Sequence, residues 1–375
     1  MIYADHAATT MLSNQAMEAM RPWLCEEYGN PSTLYSLARN PRKAIADARV
    51  IIAEAIDADP DEIFFTSCGT ESDNWALLGT AFRFSGQRKR IITSCIEHHA
   101  ILHTCGFLEK LGYEVVYLPV NHSGLIKESD LRNAINDDAV LVSLMYANNE
   151  IGTIEPVWEY SRIAHEHGVL FHTDAVQIMG HEHVKVHTID VDMLSASAHK
   201  FNGPKGVGFL YLKKGTPLEP LLHGGGQEKG MRSGTENVAS IVGMAAALQE
   251  HMQSIDEEQQ YLENLRHRLI CGLHSASLDF IVNGAEKHVP GSISISFRGI
   301  DGEMLLHRLD LMGIAVATGS ACNSKNTVLS HVIKAIAVPE AYAKGTIRIT
   351  LGMDNNEEQV DKIVASLRKI LTRPL

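Results

Sequence analysis

The chain has no run approaching the roughly 18 uninterrupted apolar residues of a membrane-crossing helix, so no membrane partner is expected. It has no C-x-x-C pair. Its six cysteines, Cys25, Cys68, Cys95, Cys105, Cys271 and Cys322, are spread apart. A zinc or redox motif therefore has little support, and no metal site is expected. Residues 1–6 show no basic segment leading into an apolar run. No signal peptide is expected, and the cytoplasm is the expected compartment. There most thiols stay reduced and serve as buried packing residues. Internal repeats, low-complexity segments and long tracts of one charge sign are missing as well. Lysine and arginine number 33 against 45 aspartates and glutamates, a formal charge of −12. That balance argues against general affinity for nucleic acid or an anionic membrane, while leaving room for a local basic patch.

What is present is an ordinary globular composition, 375 residues with 45% apolar and 21% charged. The length suits two domains and a sizeable core. Short apolar runs at 62–65, 90–93, 114–118, 140–144, 169–172, 192–195 and 207–212 read as strands. Helical patterns fall between most of them, at 71–84, 100–111 and 157–167 for example. Such alternation predicts an α/β fold, a mostly parallel sheet with helices on both faces. The texture changes near residue 250. A helix over 249–273 leads to runs at 280–282, 292–297 and 303–311. Then come 314–317, a polar loop, 328–337, 346–350 and a closing helix at 357–371. We expect a large domain over 12–250. A smaller α+β domain over 251–375 is joined by an N-terminal arm, 1–11.

Five strings carry chemistry. Ser195-Ala196-Ser197-Ala198-His199-Lys200 puts a lysine at a strand end, before Gly203-Pro204-Lys205-Gly206. A solvated loop lysine has the same appearance. His172-Thr173-Asp174-Ala175-Val176-Gln177 puts an acid where a parallel strand meets the ligand crevice, 26 residues earlier, room for one helix and one strand. Pyridoxal 5′-phosphate (PLP) needs this pair, an amine to hold it and a carboxylate to keep its ring nitrogen protonated. Thr66-Ser67-Cys68-Gly69-Thr70-Glu71-Ser72 is a strand, glycine turn and helix start that suits a phosphate. Thr70 adds a hydroxyl, and Ser197 and His199 are candidates to complete the seat; Thr70 capping its own helix is an equally common outcome. Glu97-His98-His99 offers a histidine to stack on the ring and move protons, or simply to cap a helix. Gly319-Ser320-Ala321-Cys322-Asn323-Ser324-Lys325 places a thiol in a polar loop, where solvent can reach it and Lys325 can favour its thiolate. It is alternatively an incidental cysteine.

Two further strings stand out. His223-Gly224-Gly225-Gly226, continuing to Arg232-Ser233-Gly234-Thr235, is too rich in glycine for a core element and implies close approach to backbone or ligand. Arg348, in the β-branched run 346–350, needs an anion: a substrate carboxylate or a structural acid.

Taken in order, these strings resemble the cysteine desulfurases, the NifS-like branch of the class V aminotransferases. The likeness runs nearly end to end. It includes Asp5-His6-Ala7-Ala8-Thr9-Thr10, Gly29-Asn30-Pro31-Ser32 and Asn148-Asn149-Glu150-Ile151-Gly152 as well as the strings above. The resemblance implies PLP fold type I and a homodimer with sites at the subunit interface. It implies Lys200 as the cofactor lysine, Asp174 at the ring nitrogen, Gln177 at the phenolic oxygen and His98 stacked on the ring. Gly69, Thr70, Ser197 and His199 would hold the phosphate, with Thr235 given by the partner subunit. Asn149 and Arg348 would hold the carboxylate of L-cysteine. Cys322 would take the sulfur as a persulfide and pass it to an acceptor protein, an iron–sulfur scaffold or a thiolation enzyme. The separation of Cys322 from the next helix resembles the long-loop NifS/IscS-type group. A selenocysteine lyase or small-amino-acid aminotransferase would share the fold, as would a non-catalytic sulfur carrier. The sequence departs from the family at Ser36 and Arg39, where histidine and glycine are usual nearby. It departs again at Cys68, where glycine is common, and at His99 after His98. Longer relatives carry a tail that helps to dock a scaffold; this sequence reads to Leu375.

Overall fold

The computed structural model describes residues 1–319 and 329–372. Its strands are β1 (Ile2–Tyr3), β2 (Ile63–Thr66), β3 (Arg90–Ser94), β4 (Glu114–Leu118), β5 (Ala139–Ser143) and β6 (Leu170–Asp174). These are followed by β7 (Met193–Ser197), β8 (Gly208–Leu212), β9 (Phe280–Asn283), β10 (Ser292–Phe297), β11 (Ile314–Ala315) and β12 (Thr346–Thr350). Seven form one sheet in the order β2-β8-β7-β6-β5-β3-β4. The pairs from β7 through β4 are parallel, while β8 runs antiparallel to both of its neighbours. The expected α/β class with a mostly parallel sheet is therefore the fold observed.

Alternation along β8 shows why the sheet needs helices on both faces. Phe209 and Tyr211 enter one apolar core, Leu210 and Leu212 the other. The second core is sealed by Trp75, fully buried on the helix Gly69–Arg83. Each such large side chain taken from water contributes about 1.5–3 kcal/mol. Together the two cores fix the strand ends on which the site is built.

A second sheet, β12-β10-β9, is antiparallel. It packs with the closing helix Glu357–Leu371 and with Ile2 and Ala4 around a separate core. β1 pairs in parallel with β11, tying the chain start to this region. The helix expected at 249–273 is longer, running unbroken from Val238 to Ser275. Its first turns are buried nearly all round, through Ile241, Met244, Ala247 and Leu248. Without a polar face they gave no periodic contrast in the sequence. Residue 250, where a domain boundary was expected, lies inside this helix. Among the described residues no helix is long and apolar enough to cross a membrane.

Candidate active site

A cavity of about 350 Å³ opens where the large sheet meets the second region. It is lined by Lys200, Asp174, Gln177, His98, Gly69, Thr70, Ser197, His199, Asn149 and Arg348, ten of the residues singled out above. Strand ends, helix starts and one distant β-strand bring them together, in keeping with ligand binding at the carboxyl ends of parallel strands.

Asp174 closes β6. Its carboxylate is buried, and Oδ1 accepts the Val176 N–H at 2.9 Å. Burial raises its pKa, while the nearby His98 and Lys200 pull it back down. His98 is the N-cap of the helix His99–Lys110, its Nδ1 accepting the Ala100 N–H at 3.1 Å. It thus caps a helix and faces the cavity at once. Burial holds its pKa below the ordinary histidine value, against the pull of Asp174.

Lys200 follows β7 on a single turn, Ala198–Lys200. Its Nζ donates to the carbonyls of Ala7 at 2.5 Å and Ala8 at 2.9 Å. Gln177 Nε2 donates to the same Ala7 carbonyl at 3.1 Å. The N-terminal string is therefore part of the site wall. His199 Nδ1 lies 3.1 Å from Thr9 Oγ1, and burial pushes the ring pKa down to about 4.

The glycine turn after β2 leads into the 15-residue helix Gly69–Arg83, whose first N–H groups lack intrahelical acceptors. A Cβ on Gly69 would sit 2.5 Å from Val176 Cγ2, so the backbone approaches its neighbour as only glycine allows. Glu71 braces this turn. It accepts the Ser67 N–H at 2.7 Å and a fork from Arg232 at 2.8 and 3.0 Å. Arg232 belongs to the glycine-rich string, so that string buttresses the turn from outside and does not line the cavity. Thr235, at its end, is exposed and also lies outside the cavity of this single chain.

Arg348 sits at the centre of β12. Its Nη2 pairs with Asp5 Oδ1 at 2.6 Å, and Nη1 donates to the Asn149 carbonyl at 2.8 Å. The structural ion pair is therefore present, and the same guanidinium still borders the cavity. Its Nε is buried without a hydrogen-bond partner among the described residues. Cys322 lies outside the described residues.

Sequence reasoning missed several groups. Asp73 is fully buried behind Asp174, and both burial and the Asp174 charge raise its pKa. His172 stands beside it between Ser143 Oγ and Ser195 Oγ, each at 2.9 Å, and burial keeps it neutral with a pKa of about 3. Glu150, next to Asn149, accepts the Ser330 hydroxyl at 2.5 Å and crowds Gly319. His331 also lines the cavity, donating from Nε2 to the Glu97 carbonyl at 3.0 Å. The only signal for Glu150 was its place in a quoted string. Asp73 fell one residue beyond another, and His331 was one of 19 histidines.

Residues 2–363 match the family described as aminotransferase class-V. Over 373 residues the chain is 49% identical to the cysteine desulfurase IscS of Dictyoglomus turgidum, covering 99% of this chain and 95% of that one. A solved NifS-like protein superposes with a TM-score of 0.94 at 39% identity, covering 99% of both chains. A structure titled SspA in complex with cysteine superposes with a TM-score of 0.84 at 36% identity, covering 94% of this chain and 99% of that one. On this sequence likeness and this fold, the chain belongs to the class-V aminotransferase family, among relatives that carry the name cysteine desulfurase.

Proposed function

We propose that this protein is a PLP-dependent cysteine desulfurase that takes sulfur from L-cysteine as a persulfide on Cys322 and leaves L-alanine. The observation that carries this reading is convergence. A buried acid, a lysine amine and a glycine-tight helix start meet in one cavity, the three contacts PLP requires. The close approach at Gly69 leaves backbone N–H groups bare for a phosphate. Among the described residues the second Asp174 oxygen accepts no backbone N–H, and Asp174 borders the same space. The residues fit the cofactor.

Lys200 would hold PLP through Nζ, Asp174 would pair with its ring nitrogen, and Gly69, Thr70, Ser197 and His199 would take its phosphate. When bound, PLP supplies an electron-accepting ring that stabilises negative charge developing on the substrate Cα. Lys200 Nζ would be the base that takes the substrate Cα proton. The Asp174 carboxylate would favour a proton on the ring nitrogen. His98, whose pKa burial lowers against the pull of Asp174, would stack on the ring and relay a proton. Arg348 and Asn149 orient the substrate carboxylate. The Cys322 thiolate attacks the substrate sulfur, forming an S–S bond as the S–Cβ bond breaks. The carbon side keeps that electron pair and, on protonation, becomes alanine. The elementary step is that of thiol–disulfide exchange. The persulfide then passes to an acceptor protein.

We read the working unit as a homodimer. Large apolar side chains stand exposed along residues 11–37, Met11, Met17, Leu24, Leu34 and Leu37 among them, which is in keeping with a covered face, and Thr235 is exposed as well.

The test is incubation of the purified protein with L-cysteine. Alanine in step with persulfide or sulfide is expected, and pyruvate in place of alanine would overturn the reading. Lys200→Ala should abolish the yellow cofactor absorbance. Cys322→Ala should keep the colour and lose the persulfide. Normal turnover by the Cys322 variant would remove that residue from its role.

A further inference from the structure

We infer that His251 is a positioning residue for the Lys200 amine, an imidazolium clamped between Glu258 and Asn202 that braces the lysine turn from behind. His251 lies buried on the helix Val238–Ser275, with Glu258 about two turns further along the same face. Nδ1 of the ring is 2.8 Å from Glu258 Oε2, and Nε2 is 3.0 Å from Asn202 Oδ1. Both partners can only accept. Burial alone would raise the Glu258 pKa. The hydrogen bonds from His251 and from the Ser254 hydroxyl, the latter 2.5 Å from Oε1, outweigh it and hold the carboxyl below the ordinary glutamate value, so it is ionised. The Asn202 amide is oriented by its other end, because Nδ2 donates to the Met11 carbonyl at 2.8 Å. Between a carboxylate and an amide oxygen the ring donates from both nitrogens, and a histidine that does so carries its second proton. His181 also faces it, from the stretch between β6 and β7, with ring centroids 6.2 Å apart. Burial pushes the His181 pKa down to about 4, so that ring adds no competing charge.

Asn202 passes the constraint on. It sits two residues after Lys200 at φ 58°, a left-handed conformation that asparagine tolerates better than most residues. Its N–H donates to Thr10 Oγ1 at 2.8 Å, and its carbonyl accepts the Ser13 N–H at 2.9 Å. Thr10 in turn donates from its N–H and its hydroxyl to the His199 carbonyl, at 2.9 and 3.0 Å. The lysine turn and the N-terminal string are thus stitched together on both sides of Lys200. The same string supplies the Ala7 and Ala8 carbonyls that hold Nζ. His251 anchors that unit to the long helix. If the ring lost a proton, Glu258 would keep the remaining N–H on Nδ1, and bare Nε2 would face Asn202 Oδ1, acceptor against acceptor. The bond that breaks is the one toward Lys200.

The link to catalysis rests on the PLP reading above; the charge of the ring does not, and the two are measured separately. The sample is ¹⁵N-histidine-labelled holoenzyme at pH 8, where a histidine at its ordinary pKa of about 6.5 is neutral. A signal with both ring nitrogens protonated is expected, and it should vanish in His251→Gln. His251→Leu should lower kcat about tenfold, leave KM for L-cysteine within about twofold, and slow the return of yellow absorbance when PLP is added back to stripped protein. His251→Gln places an amide donor near the Nε2 position and should recover most of both losses. Asn202→Gly suits the left-handed backbone and keeps the N–H bond to Thr10. It should reproduce the His251→Leu defect, and the double variant should be no worse; it also serves as the test should the leucine variant fail to fold. A neutral His251 ring in holoenzyme that binds PLP and forms alanine would overturn this inference alone. So would full kcat in Asn202→Gly, or a glutamine variant no better than leucine. A protein that takes up no PLP would instead sink the reading beneath it, and with it the role though not the charge.

Discussion

The floor of the cavity and its flank are held in different ways. The floor is made by strand ends: Asp174 closes β6, Ser197 closes β7, and Lys200 follows one turn later. Sheet hydrogen bonds and two apolar cores fix Asp174 and Ser197, and the Lys200 amine is held by the backbone carbonyls of Ala7 and Ala8. The flank is made by side chains that reach across the molecule. Arg348 pairs with Asp5, 343 residues away in sequence, and Ser330 bonds Glu150, 180 residues away. A site assembled this way keeps its cofactor contacts on rigid ground. Alignment of its substrate side rests on a few polar links. Damage to the floor should then remove the chemistry, whereas damage to the flank should detune it.

The largest effect is expected on the floor. Asp174→Asn keeps size and the Val176 contact but removes the negative charge. Turnover should fall about 10²- to 10⁴-fold, the range for losing a positioned acid–base partner, with the cofactor absorbance altered and the fold intact by circular dichroism. A loss of less than fivefold would mean that the floor is no more demanding than the flank.

A smaller effect is expected at Glu150. Its carboxylate accepts the Ser330 hydroxyl and fills the space a side chain on residue 319 would need, so it lies by residues on either side of the stretch that contains Cys322. Glu150→Ala should leave cofactor binding unchanged and slow persulfide formation about tenfold in a single turnover. Ser330→Ala should act through the same link, so the double variant should be little worse than either single one. Additive losses, or a lost cofactor signal, would show that Glu150 supports the floor instead.

The same contrast explains what the sequence made legible. β6 and β7 were readable because their apolar runs end abruptly at Asp174 and near Lys200, and local pattern and local chemistry coincide there. Ten candidate residues converge on one cavity for that reason. Asp73 was not readable, because a carboxylate on the buried face of an otherwise mixed helix carries no local mark. Glu150 and His331 owe their positions to tertiary contacts that no window of sequence contains. Arg348 was foreseen with two possible partners, and only the fold supplied Asp5 as one of them. The early turns of the long helix were missed for the opposite reason, since burial on all sides erased their periodicity.

Glu155 offers the smallest and most discriminating measurement. Like Glu150 it is a buried carboxylate, and burial pushes its pKa up to about 8, against about 7 for Glu150. Unlike Glu150 it does not line the cavity: Oε2 accepts the Tyr160 hydroxyl at 2.9 Å, and Oε1 is buried without a partner among the described residues. Both groups bind a proton more tightly folded than unfolded, where a glutamate titrates near 4.5. Each therefore makes its full contribution to stability below about pH 4.5 and loses it progressively as pH rises through the folded value. Wild-type Tm should accordingly fall between pH 6 and pH 8. Glu155→Gln keeps an acceptor for Tyr160 and removes the titration, so its Tm should fall less over that interval, by a few °C on the order expected for a modest change in stability. The persulfide rate should not move at all. If the pH slope of Tm matched wild type, Glu155 would not be the buried acid described. If the persulfide rate dropped as it should for Glu150→Ala, buried carboxylates anywhere in the fold would tune the reaction, and the flank would lose its special standing.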